Sequence, residues 1–240
     1  MSSLKTKITW LGHATFLFEL PNGKTILLDP WLAGNPDCPE EFHNIAVDAI
    51  LVTHGHFDHV GNLFDAAKRS TGPVVANFEI ASWAGKKGVP EERLVGMNKG
   101  GSVRLKELGV TVSLTHAQHS SSFDEEDGSR TYLGEACGFV LDIDDAEIIY
   151  IAGDTNLFSD MKLIGDIYEP DVAILPIGDH FTMDPEQAAM ATDFVGAHYV
   201  IPGHYATFPL LTGTPEALEQ ALARREIKAT MLAPRPGEVA

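Results

Sequence analysis

The sequence predicts a mixed α/β (α+β) fold, in which strands and helices pack as a layered sandwich. Two observations predict this class. Short apolar runs rich in β-branched and aromatic residues recur along the chain, and stretches with helix-start residues lie between them. The 240 residues, of which 44% are hydrophobic, suffice for one core without a disulfide or a structural metal. We therefore expect a single domain that spans 1–240.

Strands are predicted wherever a short apolar run is bounded by turn residues. In order along the chain, these runs lie at 8–10, 15–20, 25–28, 49–53, 74–76, 110–115, 139–143, 148–152, 172–175 and 199–201. Asn22 and Gly23 separate the second and third runs. This dipeptide predicts a tight type I′ hairpin turn, because both residues tolerate the positive φ that such a turn requires.

Helices are predicted between the strands. The first spans 62–69, directly after the fourth strand. A second begins after Asp184, which caps it, with Pro185 in the first turn and Gln187 completing a capping box. Thr214 begins the last helix in a similar way.

The composition narrows the class of partner. A formal net charge of −17 argues against nucleic acids and anionic membranes, because both attract basic surfaces. The sequence has no run of the ~18 apolar residues that a membrane span needs, and no signal-type N-terminus. Cys38 and Cys137 form no CxxC motif, which is typical of reduced thiols. We expect a cytoplasmic protein that acts on a small molecule, and a homo-oligomer remains open.

The stretch 120–136 is polar, rich in serine and acidic residues, and longer than most connections. Such a loop is either a lid over an active site or a plain solvated loop, and the sequence leaves both open. Together with 32–42, it is expected to govern the choice of substrate.

Metal-binding side chains crowd the end of the fourth strand. His54 and His56 are two residues apart, so an extended backbone places both on the same side. Neutral imidazole is a common ligand of zinc, iron, nickel and manganese. The chain then turns into a helix, so that Asp58 and His59 can face a second ion. Without a metal, buried polar groups left unpaired here would cost about 1–3 kcal/mol each, so the cluster favours a metal site.

The segment HGHFDH at 54–59 resembles the HxHxDH motif of the metallo-β-lactamase superfamily. Three more segments resemble that superfamily's later motifs in the expected order: AQHSS at 117–121, GDT at 153–155 and PGHY at 202–205. A narrower similarity covers nearly the whole chain. It is to the uncharacterised UPF0173-like metal-dependent hydrolases, which are related to ascorbate-6-phosphate lactonases and to the phospholipase D that cleaves N-acyl-phosphatidylethanolamines. The segments that carry it are WLGHA at 10–14, LDPW at 28–31, GDTN at 153–156 and LPIG at 175–178.

The resemblance implies a four-layer αβ/βα sandwich with two divalent ions at one edge, between two sheets. Zinc is the favoured ion, and manganese, nickel and iron are the alternatives. Carried over by position, the resemblance assigns the first ion to three histidines, the second ion to two histidines and an aspartate, and a bridging role to one aspartate. The first ion is assigned to His54, His56 and His119, the second ion to Asp58, His59 and His204, and the bridging role to Asp154. True β-lactamases commonly have a cysteine at the bridging position, so antibiotic cleavage is not expected.

Four other polar residues are candidates for supporting roles. His116 competes with His119 as the third histidine, and the two serines after His119 favour the latter. His13 is expected at the site as a hydrogen-bond donor, with structural capping as the alternative. His180 either contacts substrate or is a surface histidine. Asp29 either orients a ligand histidine or belongs to an Asp-Pro turn.

These assignments predict a hydrolase. Two ions about 3.5–4 Å apart would share a water and lower its pKa from about 15.7 toward about 7. The resulting hydroxide would attack a small ester, lactone or phosphodiester, with Asp58 passing its proton to the leaving group. The alternatives are an iron-dependent oxygenase or oxidoreductase on the same ligand frame, and a metal-binding module without turnover.

Overall fold

The computed structural model describes residues 4–240. The strands of this part of the chain are β1 (Lys7–Trp10), β2 (Phe16–Glu19), β3 (Thr25–Leu28), β4 (Ala49–Leu51), β5 (Val74–Asn77), β6 (Leu94–Met97), β7 (Ser102–Leu105), β8 (Val110–His116), β9 (Ser122–Asp124), β10 (Arg130–Tyr132), β11 (Cys137–Ile143), β12 (Ile148–Ile151), β13 (Val172–Pro176), β14 (Tyr199–Gly203) and β15 (Thr230–Met231). The α-helices are α1 (Phe57–Val60), α2 (Leu63–Arg69), α3 (Phe78–Lys86), α4 (Met161–Tyr168), α5 (Pro185–Val195) and α6 (Pro215–Arg224).

Two large sheets form the centre of the molecule. The first has six strands in the order β1-β2-β3-β4-β5-β6, antiparallel as far as β3 and parallel beyond it. The second has seven strands in the order β15-β14-β13-β12-β11-β8-β7, parallel from β12 to β15 and antiparallel elsewhere. A separate hairpin pairs β9 with β10.

The side chains of β3 show how the layers arise. Ile26 and Leu28 belong to the large core that includes the second sheet, whereas Leu27 points the other way and packs in the core shared with α2 and α3. On the far side, α5 packs on β13, and α4 and α6 pack on α5. The central strands are buried on both faces, and burial of one leucine side chain contributes about 1.5–3 kcal/mol. Each sheet therefore packs against the other sheet on its inner face and against helices on its outer face. The result is the expected four-layer αβ/βα sandwich.

The ten predicted strands are confirmed, with ends that differ by about two residues or fewer, as assignments of element ends commonly do. The predicted type I′ turn between β2 and β3 is wrong. Only Gly23 has a positive φ, of 79°, and its N–H donates to the Leu20 carbonyl at 2.9 Å. Pro21 fixes a φ near −65°, so the chain forms a three-residue loop that ends in a left-handed glycine.

The predicted helix starts are confirmed in position. The Asp184 carboxylate accepts the Gln187 N–H at 2.7 Å, and the Thr214 hydroxyl accepts the Ala217 N–H at 3.2 Å. The predicted capping box does not form. The Gln187 side chain accepts the Leu157 N–H at 3.5 Å instead, so it joins α5 to the loop before α4.

Several elements were not predicted. Among them are α3, which follows β5 directly, with Asn77 as its cap, and α4, which has no side-chain cap at its start. The stretch 120–136 contains the β9–β10 hairpin and is thus not an irregular loop. Among residues 4–240, no helix is long and apolar enough to cross a membrane.

Candidate metal centre

The first group of candidate ligands follows β4. His54 and His56 lie in the loop after the strand, and the four-residue helix α1 then presents Asp58 and His59. Gly55 lets this loop lie close to Leu133, because a Cβ there would lie 2.3 Å from the Leu133 side chain.

The second group comes from the other sheet, at the ends of its strands. His119 follows β8, Asp154 follows β12 and His204 follows β14. Gly153 takes a φ of +63°, and a Cβ there would lie 2.6 Å from a backbone oxygen, so only glycine fits before Asp154. His204 itself has a φ of 52°, a strained value for a residue other than glycine.

The two groups meet around one carboxylate. Asp154 Oδ2 lies 2.9 Å from Nε2 of His204, 3.5 Å from that of His59, 3.6 Å from that of His119 and 3.8 Å from that of His54. Three sets of candidate ligand atoms lie within 4.8 Å of one another: His54 with His56 and His119; His54 with His59 and Asp154; and His13 with Asp58, His59 and His204.

Four buried atoms of this cluster have no hydrogen-bond partner: Nδ1 of His13, Nδ1 of His204, Nε2 of His59 and Oδ1 of Asp154. The last two lie where the two groups of ligands meet. Leaving a buried polar atom unsatisfied costs about 1–3 kcal/mol, so both favour a further partner. Imidazole nitrogens and carboxylate oxygens together form a donor set that suits zinc, manganese, iron or nickel. The residues present therefore fit a metal centre.

The electrostatics of the cluster favour neutral imidazole at most positions. Burial lowers the pKa of His54 well below its usual value, and neighbouring imidazoles lower it further. Burial also lowers the pKa of His56 and of His119. His59 differs, because the carboxylates of Asp154 and Asp29 outweigh its burial and raise its pKa. Neutral imidazole is the form that binds metals, so three of these histidines are ready for an ion.

Asp29 holds one of the candidate ligands in place. Its Oδ2 lies 2.8 Å from His59 Nδ1, which directs His59 Nε2 into the cluster. Asp29 also accepts the Thr53 N–H and the Thr53 hydroxyl, both at 2.7 Å. It takes a φ of 45° and is fully buried. The sequence left open whether Asp29 orients a histidine or only belongs to an Asp-Pro turn. The contact with His59 supports the first alternative.

His13 lies inside the cluster. Its Nε2 is 3.0 Å from Asp58 Oδ2, and its ring packs 4.1 Å from that of His204, centroid to centroid. Burial lowers the pKa of His13 to about 4, despite the hydrogen bond to Asp58. The neutral ring thus donates to Asp58. Burial tends to raise the pKa of Asp58, but the His13 hydrogen bond and the charge of His59 hold it at about 2.

Two histidines from the sequence analysis lie elsewhere. His116 is exposed, contacts Lys99 Nζ at 3.0 Å and is outside the cluster, whereas His119 is within it. His180 is exposed in the loop before α5, and its ring contacts Phe181. Phe181, and not His180, lines the cavity at the site, so substrate contact by His180 stays a prediction.

A cavity of about 930 Å³ opens above the cluster. Five candidate ligands line its floor: His56, Asp58, His119, Asp154 and His204. One wall comes from the β9–β10 hairpin and the residues before it, through Ser120, Ser122, Phe123, Asp124 and Arg130. The remaining lining residues are Phe57, Phe181, Phe208, Pro209 and Leu210, and the ring centroids of Phe57 and Phe208 lie 6.4 Å apart. The sequence analysis missed these residues, because isolated aromatic residues in loops have no periodic pattern.

Comparison with known proteins agrees with this geometry. Residues 24–205 match the family model for the beta-lactamase superfamily domain. A UPF0173 metal-dependent hydrolase of Herpetosiphon aurantiacus is 47% identical over 237 residues, which cover 97% of this chain and 96% of the relative. Its counterpart in Roseiflexus castenholzii is 44% identical over the same shares. The chain is also similar to the solved structure of Igni18, a metallo hydrolase from Ignicoccus hospitalis, with a TM-score of 0.84, 34% identity and coverage of 98% of this chain and 97% of that one.

Proposed function

We propose, since this chain belongs to the UPF0173 metal-dependent hydrolases of the beta-lactamase superfamily, that it hydrolyses a small ester, lactone or phosphodiester with two divalent ions. His54, His56 and His119 would bind the first ion, and Asp58, His59 and His204 the second, with Asp154 between them. Zinc is the favoured ion, and manganese, nickel and iron suit the same donors.

One observation carries this proposal. His59 Nε2 and Asp154 Oδ1 are buried without a partner, at the centre of a cluster that opens into a cavity. A purely structural cluster would pair such atoms with each other or with nearby hydrogen-bond donors and acceptors. The lone pairs of these two atoms would bind a metal ion, and the cavity would give a substrate access to that ion.

When bound, the ions polarise the substrate oxygen and make a water molecule more acidic. The side chains around them supply the rest of the mechanism. Asp58 lines the cavity and would hold the proton of the attacking water, then pass it to the leaving group. His13 would orient Asp58 through its hydrogen bond to Oδ2. Asp29 would keep His59 pointing at Asp154.

The experiment compares two histidines that follow the same strand. His119→Ala should lower bound metal, measured by elemental analysis, and should lower kcat/KM on a panel of esters, lactones and phosphodiesters by at least about 100-fold, more than loss of a supporting residue costs. The matched control is His116→Ala, which removes an exposed histidine outside the cluster and should change neither quantity.

Two results would contradict the proposal. One is His119→Ala protein that retains its full metal content and activity. The other is purified protein that is loaded with iron and consumes oxygen while it hydrolyses nothing on the panel. Asp154→Asn gives an independent check, because it removes the charge at the centre of the cluster and should have an effect at least as large as that of His119→Ala.

A further inference from the structure

One wall of the cavity is apolar and exposed. Phe57, Phe181 and Leu210 expose 58%, 48% and 52% of their surfaces, and all three line the same cavity. Phe208 continues this wall and stacks on Trp31, with ring centroids 5.8 Å apart. We call Phe57, Phe181, Phe208 and Leu210 the apolar wall. Large apolar side chains grouped around a concave site are typical of a surface that binds an apolar ligand group.

The rest of the cavity offers little to an anion. Among the described residues that line it, Arg130 is the one basic side chain besides the imidazoles. Its Nε and Nη2 lie 2.6 Å and 3.1 Å from the two oxygens of Asp124, which lines the same wall. The ion pair uses two of the five N–H donors of Arg130, and the Asp124 carboxylate offsets the guanidinium charge, so the pair offers no net positive charge to an anionic group away from the scissile bond.

The loop that presents Phe181 has an unfavourable backbone. Asp179 and His180 have φ values of 65° and 51°, and the left-handed region costs a residue other than glycine about 1–2 kcal/mol. The loop is nevertheless fixed, because Asp179 N–H donates to the Met183 carbonyl at 2.9 Å and Met183 N–H donates to the Thr155 carbonyl at 3.1 Å. Backbone strain in a loop that places an exposed phenylalanine in the lining of the cavity at the candidate site is typical of a functional position.

We propose that the substrate is an uncharged ester or lactone with an apolar acyl chain, and that the apolar wall binds this chain while the carbonyl lies over the metal ligands. The inference rests on the proposed hydrolase function and narrows its substrate class. Water oxygen forms a bond to the acyl carbon and the acyl–oxygen bond breaks. A proton passes to the leaving alkoxide, so an ester gives a carboxylic acid and an alcohol, and a lactone gives a single hydroxy acid.

The experiment uses the metal-loaded protein and p-nitrophenyl esters of acetate, butyrate, hexanoate and octanoate, with bis(p-nitrophenyl) phosphate as the anionic phosphodiester. The value of kcat/KM should rise about two- to fourfold for each added methylene, because a fully buried methylene is worth about 0.8 kcal/mol, or fourfold. The octanoate ester should exceed the phosphodiester.

Truncation of the wall should remove this dependence. Phe181→Ala and Leu210→Ala should each lower the octanoate-to-acetate ratio of kcat/KM about tenfold. Phe78→Ala and Leu163→Ala are the matched controls, since these residues expose 63% and 55% of their surfaces but lie outside the cavity. Both controls should keep the ratio of the unaltered protein.

Binding provides a readout that needs no turnover. Calorimetry with N-methylbutanamide and N-methyloctanamide, which are uncharged, should give tighter binding of the longer amide, and Phe181→Ala should remove the difference. Cleavage of esters without dependence on chain length, or a preference for the phosphodiester, would overturn the inference and leave the hydrolase function standing. Amide binding with the expected dependence, but no hydrolysis of any ester, lactone or phosphodiester, would support the apolar wall and overturn the hydrolase function.

Discussion

At the scale of single residues, the site depends on side chains that touch the candidate ligands. Asp29 is the clearest example, because one carboxylate joins His59 to the backbone and hydroxyl of Thr53. Its φ of 45° is tolerated by aspartate and asparagine better than by most residues. The position thus combines a backbone requirement with a hydrogen-bond requirement, and the two can be separated by substitution.

Asp29→Asn should keep the backbone and replace one acceptor oxygen with an NH2 group, so that the Thr53 N–H and His59 Nδ1 no longer each have an acceptor oxygen. We expect metal affinity to fall about 10–100-fold, which is the usual effect of removing a group that orients a ligand histidine. A competition titration against a metal-binding dye measures the change. Asp145→Asn, at a left-handed position away from the cluster, is the control and should leave the affinity unaltered. Equal affinities in the two variants would show that Asp29 has no role in binding the ion.

The two thiols should be inert in the folded protein. Burial raises the pKa of Cys38 to about 12, and it raises the pKa of Cys137 further. Since the thiolate is the reactive form, a raised pKa keeps both groups protonated at pH 8. An aromatic disulfide reagent should therefore titrate neither thiol at pH 8 in the native protein and both of them in denaturant. Rapid modification of one native thiol would contradict this.

At the scale of elements, start signals predicted α5 and α6, whose first turns are capped by Asp184 and Thr214. Asp184→Ala should lower the free energy of unfolding by about 0.5–2 kcal/mol, because the Gln187 N–H then loses its acceptor at the start of α5. Urea unfolding measures the change. Gln187→Ala is the matched control and should cost less, since its side chain forms only a 3.5 Å bond to Leu157 N–H. A larger loss for Gln187→Ala would mean that the capping box forms in solution.

Some elements could be predicted from the sequence and others could not. The ten predicted strands have apolar runs, and that of β13 is buried along its whole length. The hairpin β9–β10 was not, since each of its strands has three residues, none of them fully buried, and polar side chains suit a loop equally well. The type I′ prediction failed because Pro21, outside the Asn-Gly pair, decides the turn.

At the scale of the whole molecule, the candidate ligands come from both sheets, so bound ions would join the two halves of the sandwich. Metal removal should therefore lower the stability of the entire fold. At a free ion concentration about 100 times the Kd, binding contributes about 2.7 kcal/mol. For a chain of this size, chelation should then lower Tm by roughly 5–10 °C, which calorimetry measures. The variant Asp154→Asn should respond much less to the chelator, and an equal response would contradict the link between the sheets.

The candidate ligands could be predicted from sequence because four of them lie in one motif and the others follow strand ends. Their convergence on Asp154 depends on how the sheets stack, which no local pattern contains. The apolar wall was out of reach for the same reason, since Phe57, Phe181 and Leu210 lie far apart in the chain and meet only in the fold.

The order of the candidate ligands along the chain gives this convergence a consequence in time. The proposed centre draws on side chains from His54 to His204. During synthesis, a nascent chain shorter than 204 residues lacks one candidate ligand, so the proposed centre can be completed only after most of the polypeptide has been made.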